Sequence, residues 1–104
     1  MKWLLCIGLF SLFFLMVTST ARTGDVEAGK AKSTSCVACH GKSGISKMSS
    51  SPNLAGQQEQ YLVSAMKSYR DSTRENSIMT PLMQSLSDED IENIASYYAS
   101  LSCK

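Results

Sequence analysis

Cys36-Val37-Ala38-Cys39-His40 is the segment around which the rest of this 104-residue chain is best understood. Its two cysteines stand three positions apart, so on one helical turn each thiol can add across one of the two vinyl groups of a porphyrin. A histidine directly after the second thiol is then held under the iron, where its imidazole can be the proximal ligand. The segment therefore predicts one covalent haem c, attached through Cys36 and Cys39, with His40 as an axial ligand of its iron.

Two other kinds of site share the C-x-x-C spacing. A redox dithiol is typical of a βαβ context, which the sequence does not indicate, and a disulfide here would close a very short loop with little entropic gain. A zinc site needs four ligands, but His40 is the only histidine and is adjacent to Cys39. Cys6 lies in the N-terminal segment that we expect to be removed as a signal peptide, so only Cys103 could add a third thiol. Haem attachment is the favoured interpretation, with these two as its alternatives.

The N-terminal segment has the pattern of a secretory signal peptide. After a single lysine, the run from Trp3 to Val17 is almost wholly apolar but short for a membrane span, and Ser19 and Ala21 are small residues at the −3 and −1 positions of a cleavage site. We therefore predict a signal peptide over 1–21 and a monohaem domain over 22–104, located in the periplasm. An uncleaved membrane anchor at the N-terminus is the alternative.

The composition of the remaining domain also favours a bound prosthetic group. It is rich in serine and poor in phenylalanine and leucine, so a chain of this length would bury little apolar surface by itself. A covalent porphyrin adds a large apolar disc for side chains to pack against. The formal net charge of +1 disappears when Lys2 leaves with the signal peptide. A neutral domain of this kind gives no indication of a nucleic-acid partner.

Hydrophobic periodicity and breaker residues predict an all-α domain with three main helices. The helices are predicted over 25–39, 57–73 and from Ser87 onward, with loops over 41–56 and 73–86, the second carrying Pro81. Ser87 is a good N-cap, and Asp90 stands at the capping-box position. The apolar stripes expected in the core are Tyr61, Leu62, Ala65, Met66 and Tyr69 on the second helix, and Ile91, Ile94, Ala95, Tyr98 and Leu101 on the third.

The candidates for the second axial ligand of the iron are methionines, because His40 is the only histidine. A methionine thioether is a usual ligand in electron-transfer haems and raises the reduction potential. Met66 lies on a core stripe, and Met48 follows closely after His40 in a serine-rich loop. Met79 and Met83 lie in the loop before the last helix, which we expect to fold back over the haem. Met79 is the favoured ligand, with the other three methionines or an open sixth position as alternatives.

Taken in order, the segments of the mature region resemble class I cytochromes c, and among them the small bacterial proteins of the c4, c5 and c553 kind. The segments that carry this resemblance are Gly24–Lys30, Cys36–His40, Pro52–Gln57 followed by Tyr61-Leu62, and Leu86–Ile91 followed by Ala95–Tyr98. The resemblance covers nearly the whole domain. It implies a small class I cytochrome c fold, with three main helices around a covalently bound haem.

The resemblance also implies roles for single residues. In the family, the axial methionine lies seven residues before the leucine that precedes the last helix, a position that Met79 occupies here. A proline carbonyl of the family accepts a hydrogen bond from the proximal imidazole, and Pro52 matches that proline. A glycine of the first helix packs against an aromatic ring of the last one, which here pairs Gly29 with Tyr97 or Tyr98.

The function implied is electron transfer, not enzymatic catalysis. The protein is expected to carry one electron between redox partners in a respiratory chain, such as a membrane-bound oxidase, a cytochrome complex or a dehydrogenase. Two alternatives stay open: a haem subunit of a larger exported oxidoreductase, and an open-site haem protein that binds a gas or acts as a weak peroxidase. Lys42 and Lys47 either face an acidic partner or are solvated, and Cys103 either links two copies covalently or is inert.

Overall fold

The computed structural model describes residues 24–103, and this part of the chain contains helices, turns and loops but no strand. The helices, in chain order, are α1 (Val26–Lys32), a 3₁₀ turn (Ser33–Cys36), α2 (Val37–His40), α3 (Glu59–Arg70), α4 (Met79–Gln84) and α5 (Asp88–Ser100). The predicted all-α class with three main helices is confirmed, these being α1, α3 and α5. No helix within 24–103 combines the length and apolarity needed to cross a membrane. The predicted signal peptide lies outside the described residues.

The first predicted helix is divided where the chain becomes polar. Asp25 caps α1, its side chain accepting a hydrogen bond of 3.0 Å from the backbone N–H of Ala28. Ser33 and Thr34 then donate their hydroxyls to main-chain carbonyls three residues earlier, at 2.9 and 3.3 Å. Such bonds compete with the regular helix ladder, and the chain tightens into the 3₁₀ turn. Helix α2 ends at Gly41, whose φ of 87° lies in the region that glycine readily adopts.

Helices α1 and α5 cross at a buried glycine. A Cβ atom on Gly29 would overlap the backbone carbonyl of Asn93 and lie 2.9 Å from the Cβ of Tyr97. The side chain of Asn93 accepts a hydrogen bond of 2.8 Å from the backbone of Asp25, which fixes the register of the crossing. Of the two tyrosines proposed to meet this glycine, Tyr97 makes the close approach.

The start of α5 is fixed by a capping box. The hydroxyl of Ser87 accepts from the backbone of Asp90 at 3.0 Å, and the Asp90 carboxylate accepts from the backbone of Ser87 at 3.1 Å. The latter bond lowers the pKa of Asp90. In addition, Arg70 at the end of α3 contacts Asp88 at 2.7 Å and thereby lowers the pKa of that carboxyl. Arg70 also donates to the carbonyl of Leu86 at 3.3 Å, so the two ends of the segment that carries α4 are held together.

Two predictions made from the sequence, one about the segment 73–86 and one about Tyr61, are wrong. The segment 73–86 is not a continuous loop, because it contains α4, with Pro81 in its first turn. Proline is tolerated there, since the first N–H groups of a helix have no intrahelical acceptor in any case. Tyr61 is not a core residue but is 52% exposed, whereas Leu62 beside it is 5% exposed. The buried cluster consists of Leu62, Met66, Met83, Ile91, Ile94, Ala95 and Tyr98.

Candidate functional site

A cavity of about 710 Å³, including its open mouth, lies between the α2 region, α3, α4 and α5. Apolar and aromatic side chains form most of the wall, including Leu54, Leu62, Tyr69 and Ile94. Cys36 and His40 enter this wall from the C-x-x-C-H segment, and Met79 and Met83 enter it from α4.

The imidazole of His40 is buried and held by the loop that follows α2. Its Nδ1 lies 2.8 Å from the carbonyl oxygen of Pro52, and the ring is 7% exposed. A carbonyl can only accept, so Nδ1 carries the proton and donates, which leaves the lone pair on Nε2. Nε2 is therefore the atom of His40 that can bind a metal.

The loop itself is folded so that Pro52 reaches His40. Gly44 has φ of 75°, and its carbonyl accepts from the backbone of Leu54 and Ala55 at 2.8 and 3.1 Å. Asn53 accepts a hydrogen bond of 2.7 Å from the backbone of Ser46, and the hydroxyl of Ser46 donates to the carbonyl of Cys39 at 2.8 Å. These bonds tie the proline to the helix that carries the histidine.

The two cysteines of the motif differ in their surroundings. Cys36 lines the cavity, and burial raises the pKa of its thiol. Cys39 is half-buried on α2 and is not part of the cavity wall. Both are unpaired, as is the exposed Cys103. Within residues 24–103 no three side chains of the Cys, His, Asp and Glu types are grouped to hold a metal ion, so the zinc alternative has no ligand set there.

The four candidate methionine ligands differ in their exposure and in their position relative to the cavity. Met48 is 46% exposed and lies away from the cavity, whereas Met66, Met79 and Met83 all contribute to its wall. Met83 and Met66 are buried core residues at 4% and 9% exposure, and Met79 at the start of α4 is half-buried. The predicted ligand Met79 thus reaches the same cavity as His40, from a different element.

Arg74 is a site residue that the sequence analysis missed. It lines the cavity, and its guanidinium carbon lies 4.6 Å from the centroid of the Tyr69 ring. This stacking places a permanent cation in a largely apolar wall. The sequence signal was an arginine five residues before Met79, but nothing in its pattern separated it from a solvated loop residue.

The residues present fit a haem. The wall offers apolar packing surface, a thiol for attachment, an imidazole with its Nε2 free and a methionine thioether, which together are the protein groups that bind a c-type haem. Arg74 adds a positive charge, which suits the anionic propionate groups of such a cofactor.

Comparison with known proteins gives one consistent result. The family model for cytochrome c matches residues 26–102. Cytochrome c-554(548) of Halomonas halodenitrificans is 50% identical over 80 residues, which cover 74% of this chain and 96% of that protein. Cytochrome c4 of Pseudomonas aeruginosa is 47% identical over 77 residues, or 74% of this chain and 38% of that protein.

A solved structure supports the same relationship. The crystal structure of reduced recombinant cytochrome c4 from Pseudomonas stutzeri aligns with a TM-score of 0.73 at 38% sequence identity, over 76% of this chain and 46% of that chain. The chain therefore spans nearly the whole length of the c-554(548) relative, but less than half of these two c4 proteins.

Proposed function

The chain belongs to the cytochrome c family and is an electron-transfer protein with covalent haem c, and we propose that it shuttles single electrons between two redox proteins in the periplasm. The observation that carries this proposal is the meeting of the C-x-x-C-H segment and the methionine-bearing α4 at one apolar cavity. The match to the c-554(548) relative, which covers 96% of that protein, supports a carrier of the small bacterial kind. The signal-peptide pattern of residues 1–21 supports export.

We assign the site residues as follows. Cys36 and Cys39 would form the thioether bonds, and His40 and Met79 would bind the iron. Bound in this way, the haem supplies a one-electron couple whose potential is raised by methionine ligation. The bond from His40 Nδ1 to the carbonyl of Pro52 orients the imidazole and leaves the lone pair of its Nε2 for the iron.

Filling both axial positions from the protein favours a carrier over an enzyme. With His40 and Met79 both bound to the iron, no coordination position would be left for a substrate. Docking would then be brief, over a small interface. Exposed apolar side chains at Tyr61, Ile78 and Leu82 offer such a surface on α3 and around α4, since they are 52%, 61% and 40% exposed.

The experiment is to express the full chain together with a haem-attachment system and to analyse the purified protein. We expect a mass increase of one haem, a reversible one-electron couple, and no reaction of the reduced protein with carbon monoxide. The variant Cys39→Ser should lose one thioether, while Cys103→Ser, the matched control, should bind haem like the wild type. Colourless protein would refute the haem assignment, and rapid carbon monoxide binding would indicate an open-site function.

Cys103 bears on the assembly of the protein. The thiol is exposed, and its Cβ lies near Gly56 on the surface. In an oxidising compartment, an exposed unpaired thiol favours a covalent dimer. Wild-type protein is therefore expected to show a band of twice the monomer mass on a non-reducing gel, and both thiol reduction and Cys103→Ser should remove it. A monomer band alone, after exposure to air, would show that the thiol is inert.

A further inference from the structure

The buried hydroxyl of Tyr98 has no hydrogen-bond partner in the part of the chain that the structure describes. Among residues 24–103 it is the one buried side-chain nitrogen or oxygen without a hydrogen-bond partner, and the residue is 1% exposed. A buried donor without an acceptor carries its full desolvation penalty, so native proteins rarely retain one unless a ligand or water completes it. Tyr98 also lines the cavity described above. The acceptor for this hydroxyl is therefore to be sought among the groups at this cavity, whose wall also includes Cys36.

The tyrosine ring is held in place, so its hydroxyl is not free to turn towards solvent. One edge of the ring packs against Gly44. A Cβ atom added to that glycine would lie 3.1 Å from the Cδ1 atom of Tyr98. The ring of Tyr97 packs on it at a centroid distance of 5.0 Å and an interplanar angle of 52°. The backbone carbonyl of Tyr98 accepts from Gly56 at 3.0 Å and from Leu101 at 3.2 Å.

Two side chains lie close enough to the Tyr98 hydroxyl to interact with it, but neither has the geometry of a full hydrogen bond. They are the thiol of Cys36 and the hydroxyl of Ser33. Ser33 donates its own proton to the carbonyl of Lys30 at 2.9 Å, so towards Tyr98 its oxygen can act only as an acceptor. Burial, followed by the neighbouring Cys36, raises the pKa of Tyr98, which keeps the hydroxyl protonated and able to donate.

Haem attachment changes the character of the Cys36 sulfur. As a thiol its sulfur can both donate and accept weakly, but as a thioether it has lost its proton and can only accept. We propose that Tyr98 is a positioning residue of the prosthetic group, whose hydroxyl donates a hydrogen bond to the thioether sulfur of Cys36. The inference rests on the attachment assigned under the proposed function. A donor at this sulfur withdraws electron density from the porphyrin substituent and favours the reduced protein.

The test compares two tyrosine-to-phenylalanine variants of the haem-loaded protein. Tyr98→Phe removes only the buried hydroxyl, and Tyr97→Phe removes the hydroxyl of the adjacent, half-buried ring as a matched control. At a fixed applied potential, we expect Tyr98→Phe to lower the reduced-to-oxidised ratio by about threefold, which corresponds to about 28 mV at 59 mV per tenfold change. Tyr97→Phe should leave the ratio unchanged.

A second measurement locates the proton directly. Proton nuclear magnetic resonance of the reduced wild type should show a slowly exchanging hydroxyl signal with a cross-peak to the Cβ protons of Cys36, and Tyr98→Phe should lack it. Ser33→Ala should retain both this signal and the wild-type ratio. The variant therefore separates the two neighbours of the hydroxyl.

Three results would overturn the proposal. The first is an unchanged ratio in Tyr98→Phe, even if its unfolding temperature falls, because the hydroxyl would then serve packing alone. The second is an equal loss in Ser33→Ala, which would make the serine the acceptor. The third is a hydroxyl signal without the Cys36 cross-peak. Wild-type protein without any haem, in contrast, would refute the proposed function itself, so the two failures are distinguishable by mass and colour.

Discussion

Replacing Met79 by alanine is expected to free the second axial position of the iron, to lower the reduction potential and to let the reduced protein bind carbon monoxide. A thioether is a soft ligand that stabilises the reduced iron, and axial ligands together span roughly 0.8 V of potential. The loss should therefore exceed any change caused by a surface substitution. The measurements are the midpoint potential and the weak far-red absorption band of the oxidised protein, which marks methionine–iron bonding in this family.

Met83→Ala is the matched control, because Met83 lies one turn further along α4 and reaches the same cavity. Met83 is 4% exposed and packed into the core cluster, so its truncation should cost about 2–5 kcal/mol of unfolding free energy. Its effect on the absorption band and the potential should be small. If Met83→Ala instead removes the band and Met79→Ala retains it, the ligand is Met83.

The local structure explains why Met79 is the better candidate. The side chain of Asn76 accepts hydrogen bonds from the backbone of Ile78 and Met79, both at 2.9 Å, and so fixes where α4 begins. Arg70 at the end of α3 and Asp88 at the start of α5 are 2.7 Å apart, and this contact holds together the two ends of the segment that carries α4. Met79 is thus held at the cavity by its backbone, and its side chain is half-buried there.

Features set by near neighbours in the sequence were predictable. The capping box of Ser87 and Asp90 lies within one turn, and the pattern that predicted it appears in the structure as both reciprocal hydrogen bonds. The stripe from Ile91 to Leu101 predicted a buried face of α5, and Ile91, Ile94 and Ala95 are each 2% exposed or less. Both signals depend on periodicity and capping chemistry alone.

Features set by side-chain competition or distant contacts were not predictable in the same way. Helix α4 is too short to show a period, and its cap depends on Asn76, three residues before Met79. The contact between His40 and Pro52 was expected only from the family resemblance, because it depends on a loop folded around Gly44. Tyr61 shares the apolar stripe of α3, yet it lies at the cavity and not in the core.

For Tyr98, the position of the ring was predictable from the sequence, but the missing hydrogen bond of its hydroxyl was not. Periodicity placed its ring in the core, and the ring is there, at 1% exposure. The missing hydrogen bond depends on how the 3₁₀ turn meets α5, which no local pattern encodes. A tyrosine in place of phenylalanine at a fully buried position was the available signal, since buried tyrosine hydroxyls normally find a partner.

Gly29→Ala is expected to lower the free energy of unfolding of the haem-loaded protein by about 2 kcal/mol or more, as typical of overpacked interiors. The added methyl group would overlap the carbonyl of Asn93, which is backbone and has no rotamer to adopt. Alanine would gain about 1 kcal/mol of helix propensity over glycine, so the measured loss is what remains after this gain. Urea unfolding followed by haem absorption provides the measurement.

Lys30→Ala is the control for this substitution, because Lys30 is the next residue of α1 and is exposed. A change within about 0.5 kcal/mol is expected there. Equal stability of Gly29→Ala and Lys30→Ala would mean that α1 moves away from α5 without cost, and the crossing would then not hold the haem-bearing segment in place. A selective loss at Gly29 would show that the close contact of α1 with Asn93 and Tyr97 stabilises the fold.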